Sequence, residues 1–329
     1  MKRRRRRKFL VALILSAILA VNAVAFMQAW SMTHFVAGGE RTQPPEKLSV
    51  QGKLWVLLTG VNIPRPVNWR SPADFGLAYQ TGHVRDNGVD LEVWSIPADG
   101  SPRGLVLMYH AYVSSKSSLL AAARQFHELG YSVEMVDFRG SGGSSGNSTT
   151  LGFREAEDVR ATADDARQNR LAAHEPLILF GQSMGAAAVL RAVGDLGVSP
   201  DAIIIESPYD RLLATVGDRC HTMRLPAFPL AELLVFWGGV QQGYWAFRLN
   251  PAASAVHVHC PVLMFHGQLD IRVTPEQAKA VFDNLAGPKQ LEWYEQAGHC
   301  SFLSTDSARW REAVAEFLAR CTPSPIAER

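Results

Sequence analysis

From residue 90 onward, short apolar runs alternate with stretches whose apolar positions recur every three to four residues. Residues 90–96 (Asp-Leu-Glu-Val-Trp-Ser-Ile) alternate polar and apolar side chains, which predicts a strand buried on one face only. Residues 105–109, 133–138, 177–180, 202–205, 262–265 and 291–294 are dominated by apolar side chains, as strands covered on both faces are. Between them, residues 119–129, 155–168, 184–196, 275–285 and 308–318 carry helical periodicity, and Gly130 ends the first of these. Such alternation predicts an α/β fold with a mainly parallel central sheet and helices on both faces. One interval breaks the rhythm. Residues 206–258 hold Phe228, Phe236, Trp237, Tyr244, Trp245 and Phe247 away from any strand-like run. Aromatic surface of that kind predicts a helical cap over a site at the sheet's edge; a plain hydrophobic excursion packed on the body is the alternative.

The N-terminus has a different pattern. Lys2, Arg3 to Arg7 and Lys8 form an unbroken basic run, and residues 9–30 follow without a charge. Twenty-two residues rise about 33 Å as a helix, enough to cross a hydrocarbon core of about 30 Å. Basic flanks stay in the cytoplasm, so the expected arrangement is a single-pass signal-anchor with the rest of the chain exported. Cleavage after Ala23-Val24-Ala25 would instead release a secreted protein. Arg6-Arg7-Lys8-Phe9-Leu10 also resembles a twin-arginine export signal, although Arg5 stands where Ser or Thr is usual. Seven of the 33 basic residues lie in this run, so the remainder is mildly acidic despite the formal charge of +2. That balance, with no basic patch, argues against a nucleic-acid partner.

Four segments are therefore expected: a basic flank and transmembrane anchor (1–30), a tether and arm (31–80), a catalytic body (81–321, including a cap at 206–258) and a tail (322–329). Residues 54–58 of the arm, Leu-Trp-Val-Leu-Leu, are too apolar for a free linker. Cys220, Cys260, Cys300 and Cys321 form no C-x-x-C pair and have no histidine cluster at metal-ligand spacing, so zinc is not expected. Export would permit pairing of Cys260 with Cys321 and of Cys220 with Cys300; unpaired small hydrophobes are the reading preferred here.

The candidate chemistry centres on Gly181-Gln182-Ser183-Met184-Gly185, between the apolar run ending at Phe180 and the helical stretch opening at Met184. Strand, sharp turn and helix push a serine out above the carboxyl ends of the strands, a nucleophile elbow. Its flanking glycines avoid collisions that a Cβ would make, and the helix start aims free N–H groups beside the serine. A serine needs a base, and the base an orienting acid. His299, in Gly298-His299-Cys300, follows the last strand-like run; Asp270, in His266-Gly267-Gln268-Leu269-Asp270, follows the run ending at Phe265. Glu206 and Asp210 are rival acids after the preceding run, and Asp137 reads as a turn-organising carboxylate. For the oxyanion, the N–H of Met184 pairs with one from the turn His110-Ala111-Tyr112, with Tyr112 preferred and Ala111 the runner-up.

With His110, Asp137-x-Arg139-Gly140-x-Gly142-x-Ser144, Gly181-x-Ser183-x-Gly185, His266-Gly267-x-x-Asp270 and Gly298-His299 in this order, the chain from about residue 90 to 318 resembles the α/β-hydrolase-fold serine hydrolases. Within them it is similar to the membrane-anchored BEM46-like group and to the serine aminopeptidase-like hydrolases. The resemblance implies a Ser183–Asp270–His299 triad without metal or cofactor, and a cap inserted after the sixth strand. One departure is visible: the oxyanion turn, usually His-Gly, reads His110-Ala111. The expected reaction is hydrolysis of a carboxylic ester or thioester with a greasy acyl group. An aminopeptidase-like amidase is the alternative, with Asp210, Asp218 or Glu232 to hold a substrate ammonium group. A non-catalytic binding protein on the same fold is the reading from another class. Oligomeric state is not legible.

Overall fold

The computed structural model describes residues 2–44, 47–172 and 174–321; the C-terminal tail expected at 322–329 lies outside the described residues. Eight strands form one sheet in the order β1 (Gln80–Asp86), β2 (Val89–Ile96), β4 (Ser132–Val136), β3 (Leu105–Tyr109), β5 (Leu177–Gln182), β6 (Ala202–Glu206), β7 (Val262–Gly267), β8 (Lys289–Tyr294). β1 pairs antiparallel with β2 and β2 with β4, while all remaining pairs are parallel. This is the α/β-hydrolase arrangement. β1 is the strand the sequence pattern did not reveal. Its residues Gln-Thr-Gly-His-Val-Arg-Asp bury only Val84, so there is almost no apolar signal to read.

The helices flanking the sheet are α3 (Leu120–Glu128), α4 (Glu155–Asn169), α5 (Met184–Leu196), α9 (Pro275–Asn284) and α11 (Ser307–Cys321), with the short α10 (Phe302–Thr305) before the last. The period of two in a strand sends alternate residues to opposite faces. Leu105, Leu107 and Tyr109 of β3 therefore pack with Ala163, Val189 and Leu190 of α4 and α5, while Val106 and Met108 pack with Phe126 of α3 and Trp310 of α11. Both layers are buried, which is why the inner strands read as continuous apolar runs.

Over the carboxyl ends of the strands lie α6 (Leu212–Thr222) and α7 (Leu230–Gln242), the helical part of the expected cap. The cap is smaller than the expected 206–258. α8 (Pro251–Ala255) packs on α5 instead, where the backbone of Ser254 comes so near Gly194 that a Cβ there would stand 2.1 Å from the Ser254 carbonyl oxygen. It belongs to the body.

The N-terminal segment forms one helix, α1 (Lys2–Thr33), long and apolar enough to cross a membrane. It is not a separate anchor hung from a tether. Its C-terminal third docks on α7: the Trp237 indole N–H donates to Asn22 Oδ1 at 3.2 Å, Gln241 Nε2 donates to the Phe26 carbonyl at 2.8 Å, and Phe26 meets Trp237 edge-on at 5.3 Å. The apolar run at 54–58 is the second half of α2 (Val50–Thr59), whose start is capped by Ser49 Oγ accepting from Gly52 N–H at 3.1 Å. Gln28 Nε2 ties the two helices by donating to the carbonyls of Val56 and Leu57 at 2.5 and 2.9 Å. Residues 34–36 then bridge to 147–148 and to 64. The expected tether is thus an ordered part of the roof. The four cysteines are free thiols.

Candidate active site

β5 ends in a turn at which Ser183 is held at φ 52°, ψ −109°, a conformation costly for a residue with a side chain. The neighbouring glycines make that turn possible. A Cβ on Gly185 would stand 2.3 Å from the Tyr109 carbonyl oxygen, and one on Gly181 would stand 2.7 Å from the Ala186 nitrogen. Strand β3 and helix α5 therefore approach the elbow as closely as backbone permits. The hydroxyl emerges at the N-terminus of α5, whose first N–H groups have no acceptor within the helix.

His299 and Asp270 meet the serine from the loops after β8 and β7. His299 Nε2 lies 3.0 Å from Ser183 Oγ, and His299 Nδ1 lies 2.7 Å from Asp270 Oδ2. The other carboxylate oxygen of Asp270 accepts the N–H groups of Arg272 and Val273 at 2.8 and 3.0 Å. Burial pushes the Asp270 carboxyl up, but the hydrogen bond and charge of His299 and the two backbone donors outweigh it, and the net pKa falls below the ordinary carboxylate value. An anion fixed on both oxygens orients the imidazole and stabilises its cationic form.

The rival acids stand elsewhere. Glu206 is buried against α11, its oxygens accepting from the Trp310 indole N–H at 2.8 Å and Gln182 Nε2 at 2.9 Å. Asp210 accepts from the backbone and guanidinium of Arg211 at 2.6 and 3.0 Å. Asp137 organises a turn, accepting from Lys116 N–H at 2.8 Å, Gly143 N–H at 2.9 Å and Asn68 Nδ2 at 2.7 Å. Its ion-pair partner, the Lys116 ammonium, is wholly buried and also bonds Glu92 at 2.6 Å. Nothing in the sequence around Lys116 signals a buried lysine.

The turn after β3 is fixed by His110. Its Nε2 accepts the Phe138 N–H at 3.1 Å, so the proton resides on Nδ1, which donates to the Ala111 carbonyl at 2.8 Å. Burial pushes its pKa down and keeps the ring neutral. Because the peptide is planar and trans, pinning the Ala111 carbonyl turns the Tyr112 N–H to the opposite side. The Tyr112 hydroxyl reaches back and donates to the Met32 carbonyl of α1 at 2.5 Å. The turn after β3 and the N-terminal helix are thereby joined.

Ser183, Met184, Ala111, Tyr112 and His299 all line one cavity of about 370 Å³. Its floor is the elbow. Its walls come from the cap (Val216, Leu230, Leu234) and, unforeseen from the sequence, from α1 and α2 (Val24, Met32, Val56). The lining is mostly apolar; among the described residues its charged members are Arg41, Arg219 and Arg272. None of Asp210, Asp218 and Glu232, the carboxylates considered for a substrate ammonium group, is among the lining residues. Asp218 instead accepts from Gln277 at 2.6 Å.

Residues 114–324 match the prolyl oligopeptidase family. Among characterised relatives, the chain is 24% identical over 272 residues to the lysophosphatidylserine lipase ABHD12 of Danio rerio, covering 75% of this chain and 69% of that one. It is 26% identical over 234 residues to the uncharacterised YqkD of Bacillus subtilis, covering 70% and 76%. Among solved structures, the Pyrococcus furiosus esterase Pf2001 superposes with a TM-score of 0.66 at 23% identity, over 79% of this chain and 98% of that one.

Proposed function

This chain belongs to the prolyl oligopeptidase family, and from that premise we propose that it is a membrane-anchored serine hydrolase cleaving carboxylic esters of long acyl chains. The observation that carries this reading is the 3.0 Å and 2.7 Å relay from Ser183 through His299 to Asp270 at the floor of an apolar cavity. His299 Nε2 takes the proton as Ser183 Oγ attacks the ester carbonyl, and Asp270 steadies the resulting imidazolium. The N–H groups of Met184 and Tyr112 hold the oxyanion. Collapse expels the alcohol, which receives the proton from His299, and water then cleaves the acyl-enzyme by the same route. Thioesters fit the same steps.

An apolar cavity whose lining, among the described residues, has arginines and no carboxylate suits an acyl chain better than a peptide with a free amino terminus. The lipase among its relatives points the same way. The basic run at the start of α1 favours retention of the N-terminus in the cytoplasm, with the catalytic body on the far side of the membrane.

Labelling by a fluorophosphonate probe tests the nucleophile. Wild type should label and Ser183→Ala should not. Competition with p-nitrophenyl esters should then favour long acyl chains over acetate, and aminoacyl p-nitroanilides should compete poorly. A folded wild type that does not label would defeat the proposal and favour a binding role.

A further inference from the structure

The free part of α1 is too short for a bilayer unless part of the catalytic body enters the bilayer with it. Residues 9–21 are apolar but for Ser16 and exposed along their whole length, and from Asn22 onward the helix is against the body. Thirteen helical residues rise about 20 Å, some 10 Å short of a hydrocarbon core of about 30 Å. The missing depth falls alongside residues 22–30, where α1 lies on α7.

The body's surface at that level is apolar. α1 and α7 run in the same direction where they touch, since Asn22 meets Trp237 while His34 reaches Gln242. The N-terminal end of α7 therefore faces the side from which α1 protrudes. Just before it stands Phe228, 76% exposed, and Phe236 is exposed one turn before Val240. α2 lies beside this end, its Lys53 ammonium donating to the Thr222 carbonyl at 3.0 Å, six residues before Phe228. Leu54, Trp55 and Leu58 occupy the outer face of α2, with Trp55 69% exposed. The opposite face of α2 points inward, and Val56 and Leu57 line the catalytic cavity together with Val24 of α1 and Leu230 of α7.

Resting on the anchored-esterase reading above, we infer that α2 and the start of α7 are sunk into the lipid leaflet beside α1, and that the catalytic cavity takes its substrate sideways from that leaflet. A lipid surface is the occupant that fits. The exposed apolar residues of α2 and of the start of α7 lie beside the docked length of α1, and the depth they add is the depth α1 lacks. A water-insoluble ester could then pass between α1, α2 and α7 to Ser183 without leaving an apolar medium.

The test uses the full chain in phosphatidylcholine vesicles. Trp55 fluorescence, taken as the difference between wild type and Trp55→Phe, should be quenched by lipids brominated along the acyl chain. Leu54→Asp with Leu58→Asp should lower hydrolysis of a vesicle-embedded long-chain ester about tenfold or more, and hydrolysis of soluble p-nitrophenyl acetate by less than about twofold. An unquenched Trp55, an equal loss on both substrates, or no loss on either would overturn the inference. So would a dimer that dissociates in the double variant, since a second copy would then cover this face. Extraction of the wild type from vesicles by alkaline carbonate would instead defeat the anchor reading itself. Absence of p-nitrophenyl ester hydrolysis by wild type at every chain length would defeat the esterase reading.

Discussion

Ser183 sits in a backbone conformation that its neighbours enforce, and that constraint was legible because only glycine tolerates the contacts at 181 and 185. Gly185→Ala would press a methyl group onto the Tyr109 carbonyl, so the elbow would have to shift. His299 and Asp270 were legible from their places after successive apolar runs. Glu206 looked like a competitor for Asp270 because a sequence does not say which way a carboxylate at a strand end points. In the structure it turns into the core, where burial pushes its pKa up to about 7 and the bonds from Trp310 and Gln182 offset only part of that. The folded state therefore holds a proton that the unfolded chain has released between about pH 4.3 and 7, and stability from this group is lost as pH rises through that window. At about 1.4 kcal/mol per unit, the loss is roughly 4 kcal/mol. Glu206→Gln has no such loss, and the Gln182 amide can flip to accept from it. Between pH 5 and pH 8 the Tm of the variant relative to wild type should rise by about 5 °C or more, measured by thermal unfolding in detergent.

At the scale of elements, the inner strands announced themselves because they are buried on both faces, and β1 did not because it is a wet edge strand with one buried residue. Helices were expected where residues 206–258 carry aromatic surface without a strand, and α6 and α7 lie there, whereas α8 is an ordinary body helix packed on α5. The shape of the turn after β3 is set by His110, which donates to the Ala111 carbonyl and accepts the Phe138 N–H. Those two bonds span β3 and the loop after β4, so the turn's shape depends on the ring more than on the residue at 111. His110→Ala should lower kcat by about 10²-fold, the usual cost of a misplaced oxyanion donor, with a smaller change in KM. The same variant should retain fluorophosphonate labelling at a reduced rate, because Ser183, His299 and Asp270 keep their contacts. A KM effect equal to the kcat effect would argue that the turn binds substrate rather than the oxyanion.

The sequence presents α1 as a leader with its own composition, and nothing local to residues 22–33 says that they bury against α7, 200 residues away. In the folded molecule this segment does two separable things. Residues 3–21 stand clear of the body, whereas residues 22–33 wall the cavity and supply the Met32 carbonyl that holds the Tyr112 hydroxyl. A signal peptidase cutting after Ala25 would remove Val24 and Ala25 from the cavity wall, and Ala25 is itself buried. The intact enzyme recovered from membranes is therefore expected to retain residues before Ala25, which its mass will report. Two deletions divide the roles. Removing residues 2–21 should let alkaline carbonate strip the protein from vesicles while leaving hydrolysis of p-nitrophenyl acetate within about twofold of wild type, because no buried contact is lost. Removing residues 2–33 should also uncover the apolar faces of α7 and α2 and strand the Tyr112 hydroxyl. The unmet hydroxyl alone costs about 1–3 kcal/mol. With the lost packing, Tm should fall by about 5 °C or more relative to the shorter deletion, and p-nitrophenyl acetate hydrolysis should drop with it. Equal behaviour of the two deletions would mean that α1 is an anchor only, and that the cap closes the cavity without it.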